Sequence, residues 1–176
     1  MDNLAGHQQR SFMVYWCLKG AENGGVGVDM GCGELKHPYC FRVDKYAGSS
    51  HPEYPSPHKA NYHPHMVLRA DKPLPFTDGC FDFLVSSHSL EHMYDTNWTL
   101  REWIRIVRKN GFLAVVMPDA TYGKTSDEEH HQVSWKAKDF KKEVLIPLVD
   151  EGVIKIMEFD SFQNHFSFNF VVRKLV

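Results

Sequence analysis

The residues with the clearest capacity for chemistry follow the first apolar run of the chain, in the stretch VDMGCGE (28–34). Asp29 supplies a carboxylate, and Gly31 and Gly33 allow the backbone to approach a ligand because neither carries a Cβ atom. The spacing differs from the GxGxxG of dinucleotide-binding folds, and no Gly-Lys-Ser/Thr follows as in a P-loop. A tight strand exit would also explain the glycines, so the surrounding sequence must decide whether this loop binds a ligand.

Two more carboxylates lie at the ends of predicted strands. Asp44 ends the apolar stretch CFRVD (40–44), and Asp71 follows HMVLRA (65–70). In an open parallel sheet, ligands bind outside the carboxyl ends of the strands, and an acid after the second strand can accept hydrogen bonds from ribose hydroxyls. The three acids and the glycine loop therefore indicate a site for a nucleoside-containing ligand.

The elements that would position these residues alternate between strands and helices. Apolar residues spaced at i, i+3, i+4 and i+7 predict helices, and short apolar runs between turn residues predict buried strands. We predict helices over 7–23, 95–111 and 134–152, the last bent or restarted at Pro147, and strands over 25–30, 40–44, 65–70, 81–87, 111–117, 152–159 and 166–175. This order predicts an α/β, doubly wound, mostly parallel seven-stranded sheet. The last two strands are joined by six residues and should form an antiparallel hairpin.

Composition bounds the class of protein. The chain has 176 residues with 43% hydrophobic and 24% charged residues, which is typical of one soluble globular domain. A formal net charge of −2 gives no basic footprint, so no nucleic-acid partner is expected. No apolar run long enough to cross a membrane occurs, and the N-terminus does not resemble a signal peptide. The four cysteines form no CxxC pair, so we expect a reducing, cytoplasmic location.

Five short motifs, in order, resemble those of class I S-adenosylmethionine-dependent methyltransferases. The resemblance is closest to the small branch with DxGCG, LPFxDxxFD and hxLEH motifs, and it extends from about Gly25 to the C-terminus. Each motif is weak alone, but all five fall on the appropriate predicted elements. They read DMGCG (29–33), LPFTDGCFD (74–82), HSLEH (88–92), EWIRIVRKNG (102–111) and MPD (117–119). The resemblance implies a Rossmann-like fold with S-adenosyl-L-methionine as cofactor, in a single domain over 1–176.

The resemblance also implies roles for the residues of the glycine loop. The backbone around Gly31 and Gly33 would hold the amino-acid end of the cofactor. Asp29 would lie near its ammonium or sulfonium group.

Further roles are implied at the ends of the next three strands. Asp44 would bind the ribose, and Asp71 would accept a hydrogen bond from the adenine amino group, with Lys72 beside it. Ser87 and His88 would line the methyl donor and the substrate.

Two segments depart from the usual pattern of the family. The crossing from Gly33 to Asp44 contains Pro38 and is too short for the helix that usually lies there, so we predict a turn. Similar short crossings occur in family members that act on glycans or lipid-linked sugars. The segment 45–65 holds four prolines and four histidines, so it cannot form a regular helix. It is interpreted as a lid or acceptor-binding loop, with a solvated surface loop as the alternative.

The histidines raise the questions of a general base and of a metal. His88 and His130 are the candidate catalytic residues, because a histidine titrates near neutral pH and can take a proton from a hydroxyl acceptor. His130 follows Asp127 in a DxxH arrangement, which a polar loop with local capping bonds would also explain. His88 and His92 have the i, i+4 spacing of zinc ligands, but HExxH and a clear third ligand are missing. The sequence therefore predicts no metal site.

The function expected from the sequence is in-line transfer of a methyl group to a small or glycan-like acceptor. A sulfonium methyl is already activated, so the protein needs only to align the reacting atoms and exclude water. No covalent nucleophile is expected, and the acceptor atom stays open. The main alternative is a non-catalytic nucleotide- or cofactor-binding module of the same fold. An oxidoreductase is disfavoured because GxGxxG is missing, and a metal-storage or metal-sensing protein is a more distant alternative.

Overall fold

The chain folds around one seven-stranded sheet, described here from a computed structural model over residues 4–34, 37–47, 63–122, 131–161 and 166–176. The strand order is β3-β2-β1-β4-β5-β7-β6, with β7 antiparallel to both of its neighbours. The pairs from β3 to β5 are parallel. The predicted α/β fold class is therefore confirmed, including the C-terminal hairpin. The strands are β1 (Gly27–Met30), β2 (Cys40–Asp44), β3 (Met66–Val67), β4 (Phe81–Ser87), β5 (Val107–Pro118), β6 (Ile154–Ser161) and β7 (Ser167–Lys174).

Helices lie on both faces of the sheet, as predicted. They are α1 (Leu4–Ala21), α2 (Thr96–Ile106), α3 (Ala137–Phe140) and α4 (Ile146–Asp150), with a π-helical turn at Lys141–Leu145 that joins the last two. Short 3₁₀ turns occupy Glu22–Gly24, Leu90–His92 and Ala120–Tyr122. Among the described residues, no helix combines the length and apolar character that crossing a membrane would require.

Alternating side chains of the strands divide the core into two layers. On one face, Met13 and Cys17 of α1 pack against Phe83 and Val85 of β4. On the other face, Leu84 joins the larger layer formed with α2, α3 and α4. The i, i+4 spacing of Met13 and Cys17 places both on one side of α1, which explains how a single helix covers its part of the sheet. The strands that end at the predicted site are therefore packed on both faces.

The helix α2 begins as predicted but ends earlier. Asp95 caps its start by accepting a hydrogen bond from the Trp98 backbone N–H at 2.9 Å. The prediction that the helix extends to Gly111 is wrong, because Val107 already pairs with Phe81 in the sheet. The pairing register between β4 and β5 then shifts, and Asn110 adopts a φ of 64°. An irregular stretch of β5 between Val107 and Phe112 thus accommodates residues that the helical periodicity alone would have kept in α2.

The helical region before the C-terminal hairpin consists of α3, a π-helical turn and α4. Its first helical residue is Ala137, so it begins three residues later than the predicted helix over 134–152. A π turn directly precedes Pro147, which lies at the start of α4. Proline lacks an N–H group, so a wider turn before it avoids a gap in the hydrogen-bond ladder. The predicted bend at Pro147 thus takes the form of a change in helix type.

Two crossings between parallel strands contain no helix in their described residues. The connection from β1 to β2 passes through turns at 31–34 and 37–39, as predicted from its length. The connection from β3 to β4 is an irregular segment over 68–80. The third strand is shorter than the predicted 65–70 and comprises only Met66 and Val67. These short connections bring the loop after β1 close to the ends of β2 and β4.

Candidate cofactor and methyl-transfer site

The loop after β1 requires glycine for two physical reasons. Gly31 and Gly33 have φ values of 71° and 51°, in the left-handed region that other residues rarely adopt. A Cβ atom on Gly31 would also lie 2.6 Å from the Cβ of Ser89, in the segment that follows β4. The Gly31 N–H donates to the carbonyl oxygen of Val43 at 2.9 Å, which ties the loop to β2. The loop is therefore a fixed turn with bare backbone, and Ser89 is a neighbour that sequence reasoning missed.

Asp44 connects this loop to the end of β2. One carboxylate oxygen accepts from the Gly33 N–H at 2.8 Å, and the other accepts from the Tyr46 N–H at 3.1 Å. The residue is only 8% exposed. A carboxylate offers about four lone-pair sites, so two of them stay available to ribose hydroxyls. The position and orientation of Asp44 are compatible with the predicted ribose role.

Asp29 forms a buried pair that the sequence did not reveal. Its Oδ2 lies 2.8 Å from Nδ1 of His37, which belongs to the short crossing between β1 and β2. Burial raises the pKa of Asp29, and the hydrogen bond and charge interaction with His37 oppose that shift. Among the described residues, Oδ1 of Asp29 and Nε2 of His37 have no hydrogen-bond partner. The carboxylate thus lies beneath the loop, and one oxygen remains for a donor such as an ammonium group.

Asp71 lies four residues after the end of β3, further from the strand than predicted, and its carboxylate is already paired with the guanidinium group of Arg69. Arg69 donates to both oxygens, at 2.9 and 2.6 Å, and this bidentate pair lowers the pKa of Asp71. Lys72 is exposed beside it. The backbone at this turn is fixed by Trp103, whose indole N–H donates to the Ala70 carbonyl at 3.1 Å. An adenine amino group would therefore share Asp71 with Arg69, a residue that the sequence reasoning had not considered.

Ser87 is the last residue of β4, and His88 follows it at the same edge of the sheet. His88 has a φ of 52°, and its side chain is 39% exposed. Its Nε2 lies 3.1 Å from Oε1 of Gln9 in α1 and 3.4 Å from the hydroxyl of Ser167 in β7. Gln9 also donates to that hydroxyl at 2.9 Å. His88 is thus held where α1, β4 and β7 meet, with part of its ring open to an acceptor.

Two of the predicted features lie outside the described residues. His130 and Asp127 fall within 123–130, and most of the loop 45–65 falls within 48–62. The structure thus brings together Asp29, the glycine loop and Asp44, and it leaves the role of His130 as a prediction.

The thiol of Cys32, in the middle of the glycine loop, is not a nucleophile. It is buried, and burial together with the nearby carboxylates Asp29 and Asp44 raises its pKa to about 12. The thiolate required for attack is therefore scarce near neutral pH. The raised pKa favours the expectation that no covalent catalysis occurs at this loop, which stays a prediction.

Other motif residues position the site without reaching it. Arg105 pairs with Glu102, and it also donates to the carbonyl oxygens of Leu74 and Phe76 at 3.1 and 2.8 Å. Glu102 in turn accepts from the Leu74 N–H at 2.8 Å. These bonds fasten the irregular segment before β4 to α2. The ExxR and LPFxD motifs therefore form a structural clamp.

Comparison with known proteins agrees with this geometry. Residues 28–115, which are 88 of the 176 residues, match the family described as a methyltransferase domain. The chain therefore belongs to this family of S-adenosylmethionine-dependent methyltransferases, as its motifs implied. No curated protein sequence is similar enough to this chain to count as a match.

Solved structures share the fold at low sequence identity. One is a proposed methyltransferase from Haloferax volcanii in complex with the Trm112 methyltransferase activator, with 15% identity, a TM-score of 0.65, and coverage of 99% of this chain and 95% of that chain. Another is a SAM-dependent methyltransferase from Aquifex aeolicus, with 14% identity, a TM-score of 0.58, and coverage of 94% and 93%. A third, from Thermotoga maritima, is described as a possible histamine N-methyltransferase, with 17% identity, a TM-score of 0.56, and coverage of 96% and 95%.

Proposed function

We propose that this protein binds S-adenosylmethionine at the glycine loop and transfers its methyl group to a small or glycan-like acceptor. The observation that carries the proposal is the carboxylate of Asp44, which accepts from the Gly33 N–H at 2.8 Å. This bond joins the bare backbone of the loop to an acid at the end of the adjacent strand. Such an arrangement suits a ligand with an amino-acid group at one end and a ribose next to it.

The residues around the loop fit that cofactor. The buried Oδ1 of Asp29 has no hydrogen-bond partner among the described residues and can accept from an ammonium group. Asp44 would bind the ribose hydroxyls. The turn of Ala70, Asp71 and Lys72 would border the adenine, and Ser87 would lie beside the methyl donor.

The chain has little chemistry to perform beyond alignment. S-adenosylmethionine, when bound, supplies a methyl group on a positively charged sulfur that is already activated for displacement. The glycine loop and Asp44 would fix the donor, and His88 would orient the acceptor at the end of β4. Holding reacting groups in line supplies a large part of the barrier reduction in such reactions. We propose that His130 also faces the acceptor, since it follows β5 in the sequence and β5 ends at Pro118, at the same edge of the sheet.

The acceptor class follows from charge and composition. A net charge of −2 gives little attraction for a nucleic-acid backbone. The segment 45–65 carries histidine and tyrosine side chains that can donate and accept hydrogen bonds, which suits polyhydroxylated acceptors. We propose that this segment contacts the acceptor.

The test is a transfer assay with a cofactor labelled on the methyl group. The protein is incubated with panels of sugars, amines, alcohols and carboxylic acids, and labelled product is measured. For an accepted substrate, His88→Asn should lower turnover and leave cofactor affinity unchanged, whereas Lys109→Gln, at an exposed position at the opposite end of β5 from Pro118, should change neither. Cofactor binding without transfer to any acceptor would favour the non-catalytic module instead.

A further inference from the structure

The carboxylate of Glu91 is buried in a way that calls for a cation. Glu91 lies in the 3₁₀ turn Leu90–His92, shortly after the end of β4 at Ser87. Its side chain is only 1% exposed. Neither of its carboxylate oxygens has a hydrogen-bond partner among the residues that the structure describes. An ionised carboxylate without donors is strongly disfavoured in a protein interior, so buried charges are usually paired or bound to metals.

Two histidines surround this carboxylate. Nε2 of His131 lies 4.0 Å from Oε1 of Glu91, and the His131 side chain is 5% exposed. The rings of His92 and His131 have centroids 5.0 Å apart and an interplanar angle of 75°. One ligand atom from each of Glu91, His92 and His131 can be chosen so that all three lie within 4.8 Å of one another.

These separations are somewhat longer than those between the ligands of a bound ion. Metal–ligand distances of about 2.0–2.2 Å in a tetrahedral zinc site place two ligand atoms about 3.4 Å apart. The Glu91–His131 distance of 4.0 Å would have to shorten by about 0.6 Å. The other separations, which reach at most 4.8 Å, would have to shorten by up to about 1.4 Å, through rotations of the three side chains. The fold therefore places the three groups within reach of one ion.

Backbone hydrogen bonds hold the segment of His131 against the turn that contains Glu91 and His92. The N–H groups of Gln132 and Val133 donate to the carbonyl oxygen of Glu91, at 2.9 and 3.2 Å. This pair of hydrogen bonds fixes the segment that begins at His131 against the turn of residues 90–92. Glu91 and His92 are adjacent in sequence, and His131 arrives from beyond β5, so the cluster forms only in the folded chain.

We propose that Glu91, His92 and His131 form a binding site for one divalent transition-metal ion of the zinc class. Two imidazoles and one carboxylate are a ligand set suited to zinc and its neighbours, whereas magnesium and calcium prefer oxygen ligands alone. The ion would neutralise the buried Glu91 carboxylate. The spacing of His88 and His92 did not lead to this site, because its third ligand is distant in sequence.

The site also adjoins the proposed transfer site. Nδ1 of His88 lies 3.5 Å from Oε1 of Glu91. Metal binding is nevertheless a separate property of the chain, because none of the three ligands belongs to the proposed cofactor loop. A test that reads the ion directly therefore distinguishes failure of this inference from failure of the proposed methyl transfer.

The test uses untagged protein freed of metal by a chelator and titrated with Co²⁺ as an optical probe. One equivalent should produce visible absorption bands of nitrogen- and oxygen-bound cobalt, and Zn²⁺ should displace it. Glu91→Gln and His131→Ala should each weaken Co²⁺ binding by about tenfold or more. His63→Asn is the matched control, because this histidine is exposed and precedes β3, on the other side of β1.

Thermal unfolding keeps the inference testable if a variant folds poorly. Zn²⁺ should raise the Tm of the wild-type protein in a concentration-dependent way, because it binds the folded state. The near-isosteric Glu91→Gln should lose that response while remaining folded, as judged by circular dichroism. Absence of a stoichiometric Co²⁺ spectrum in the wild type would overturn the proposal. An unchanged spectrum in both ligand variants would overturn it equally.

Discussion

Substitution of Gly31 by alanine tests the construction of the cofactor loop most sharply. The new Cβ would meet two separate obstacles. The φ of 71° is unfavourable for alanine, by about 1–2 kcal/mol for a left-handed residue. The Cβ would also lie 2.6 Å from the Cβ of Ser89, which cannot be relieved by rotating the serine side chain. Overpacking of this kind adds about 1–3 kcal/mol, so we expect Gly31→Ala to lower the free energy of unfolding by about 2–5 kcal/mol.

The chain supplies a matched control for the backbone contribution. Gly152 has the same φ of 71°, and a Cβ there would meet no atom within 4 Å. Gly152→Ala should therefore show the conformational cost alone. The difference between the two variants, measured by urea denaturation, isolates the contact with Ser89. Ser89→Gly should rescue Gly31→Ala, because the nearest remaining Ser89 atom, its Cα, would be 3.9 Å from the new Cβ.

The same variants should separate in cofactor affinity. Displacement of Gly31 would also move Gly33, whose N–H donates a hydrogen bond to the Asp44 carboxylate. Gly31→Ala should therefore weaken binding of S-adenosylmethionine, whereas Gly152→Ala should not. Equal losses of stability in Gly31→Ala and Gly152→Ala would refute the argument from close packing. Unchanged affinity in a folded Gly31→Ala protein would refute the role of the loop.

Three further substitutions test individual contacts. Asp44→Asn should weaken cofactor binding by about 1–3 kcal/mol in calorimetry, since an amide cannot accept at both ends; equal affinity would exclude the ribose role. His37→Ala should lower the free energy of unfolding by about 1–3 kcal/mol, because the carboxyl group of Asp29 stays buried after losing its hydrogen bond with His37; the further change Asp29→Asn should restore part of this loss, and an unchanged stability of His37→Ala would contradict the pairing. Arg105 lowers the pKa of Glu102 below its ordinary value of 4.5, so Glu102 stabilises the fold above pH 4.5 and that contribution disappears as the pH falls through the lowered pKa. The stability deficit of Glu102→Gln in denaturant titrations should accordingly be full near pH 7 and shrink under acid conditions, and a deficit independent of pH would contradict the clamp.

The elements that periodicity predicted best are those whose burial is simple. The strand β4 has the predicted bounds 81–87, because it is apolar along its length and flanked by turn residues. The predicted end of α2 was wrong because the position of Val107 fits both the apolar face of a helix and a buried strand. Its pairing with Phe81 in the sheet decides in favour of the strand. Local patterns cannot weigh a contact between residues that are far apart in sequence.

In the candidate site too, local patterns predicted some residues, whereas contacts between distant residues were not predictable. The positions of Asp29, Gly31, Gly33 and Asp44 followed from their places at predicted strand ends. The hydrogen bond between His37 and Asp29 could not be predicted, because it depends on the path of a short crossing without regular structure.

The cluster of Glu91 with His131 likewise depends on a tertiary contact. Backbone hydrogen bonds to the Glu91 carbonyl bring the later segment to the turn after β4. The motif HSLEH pointed to His88 and His92 and gave no sign of this distant third member.

The most direct test of the central claim is calorimetric titration of the folded protein with S-adenosylmethionine and, separately, with S-adenosylhomocysteine. The account predicts one site per chain that binds both ligands with micromolar affinity, and weaker binding of both to Asp44→Asn. No binding of either ligand to folded protein would mean that the loop after β1 is only a strand exit, and the proposed methyl transfer would be wrong.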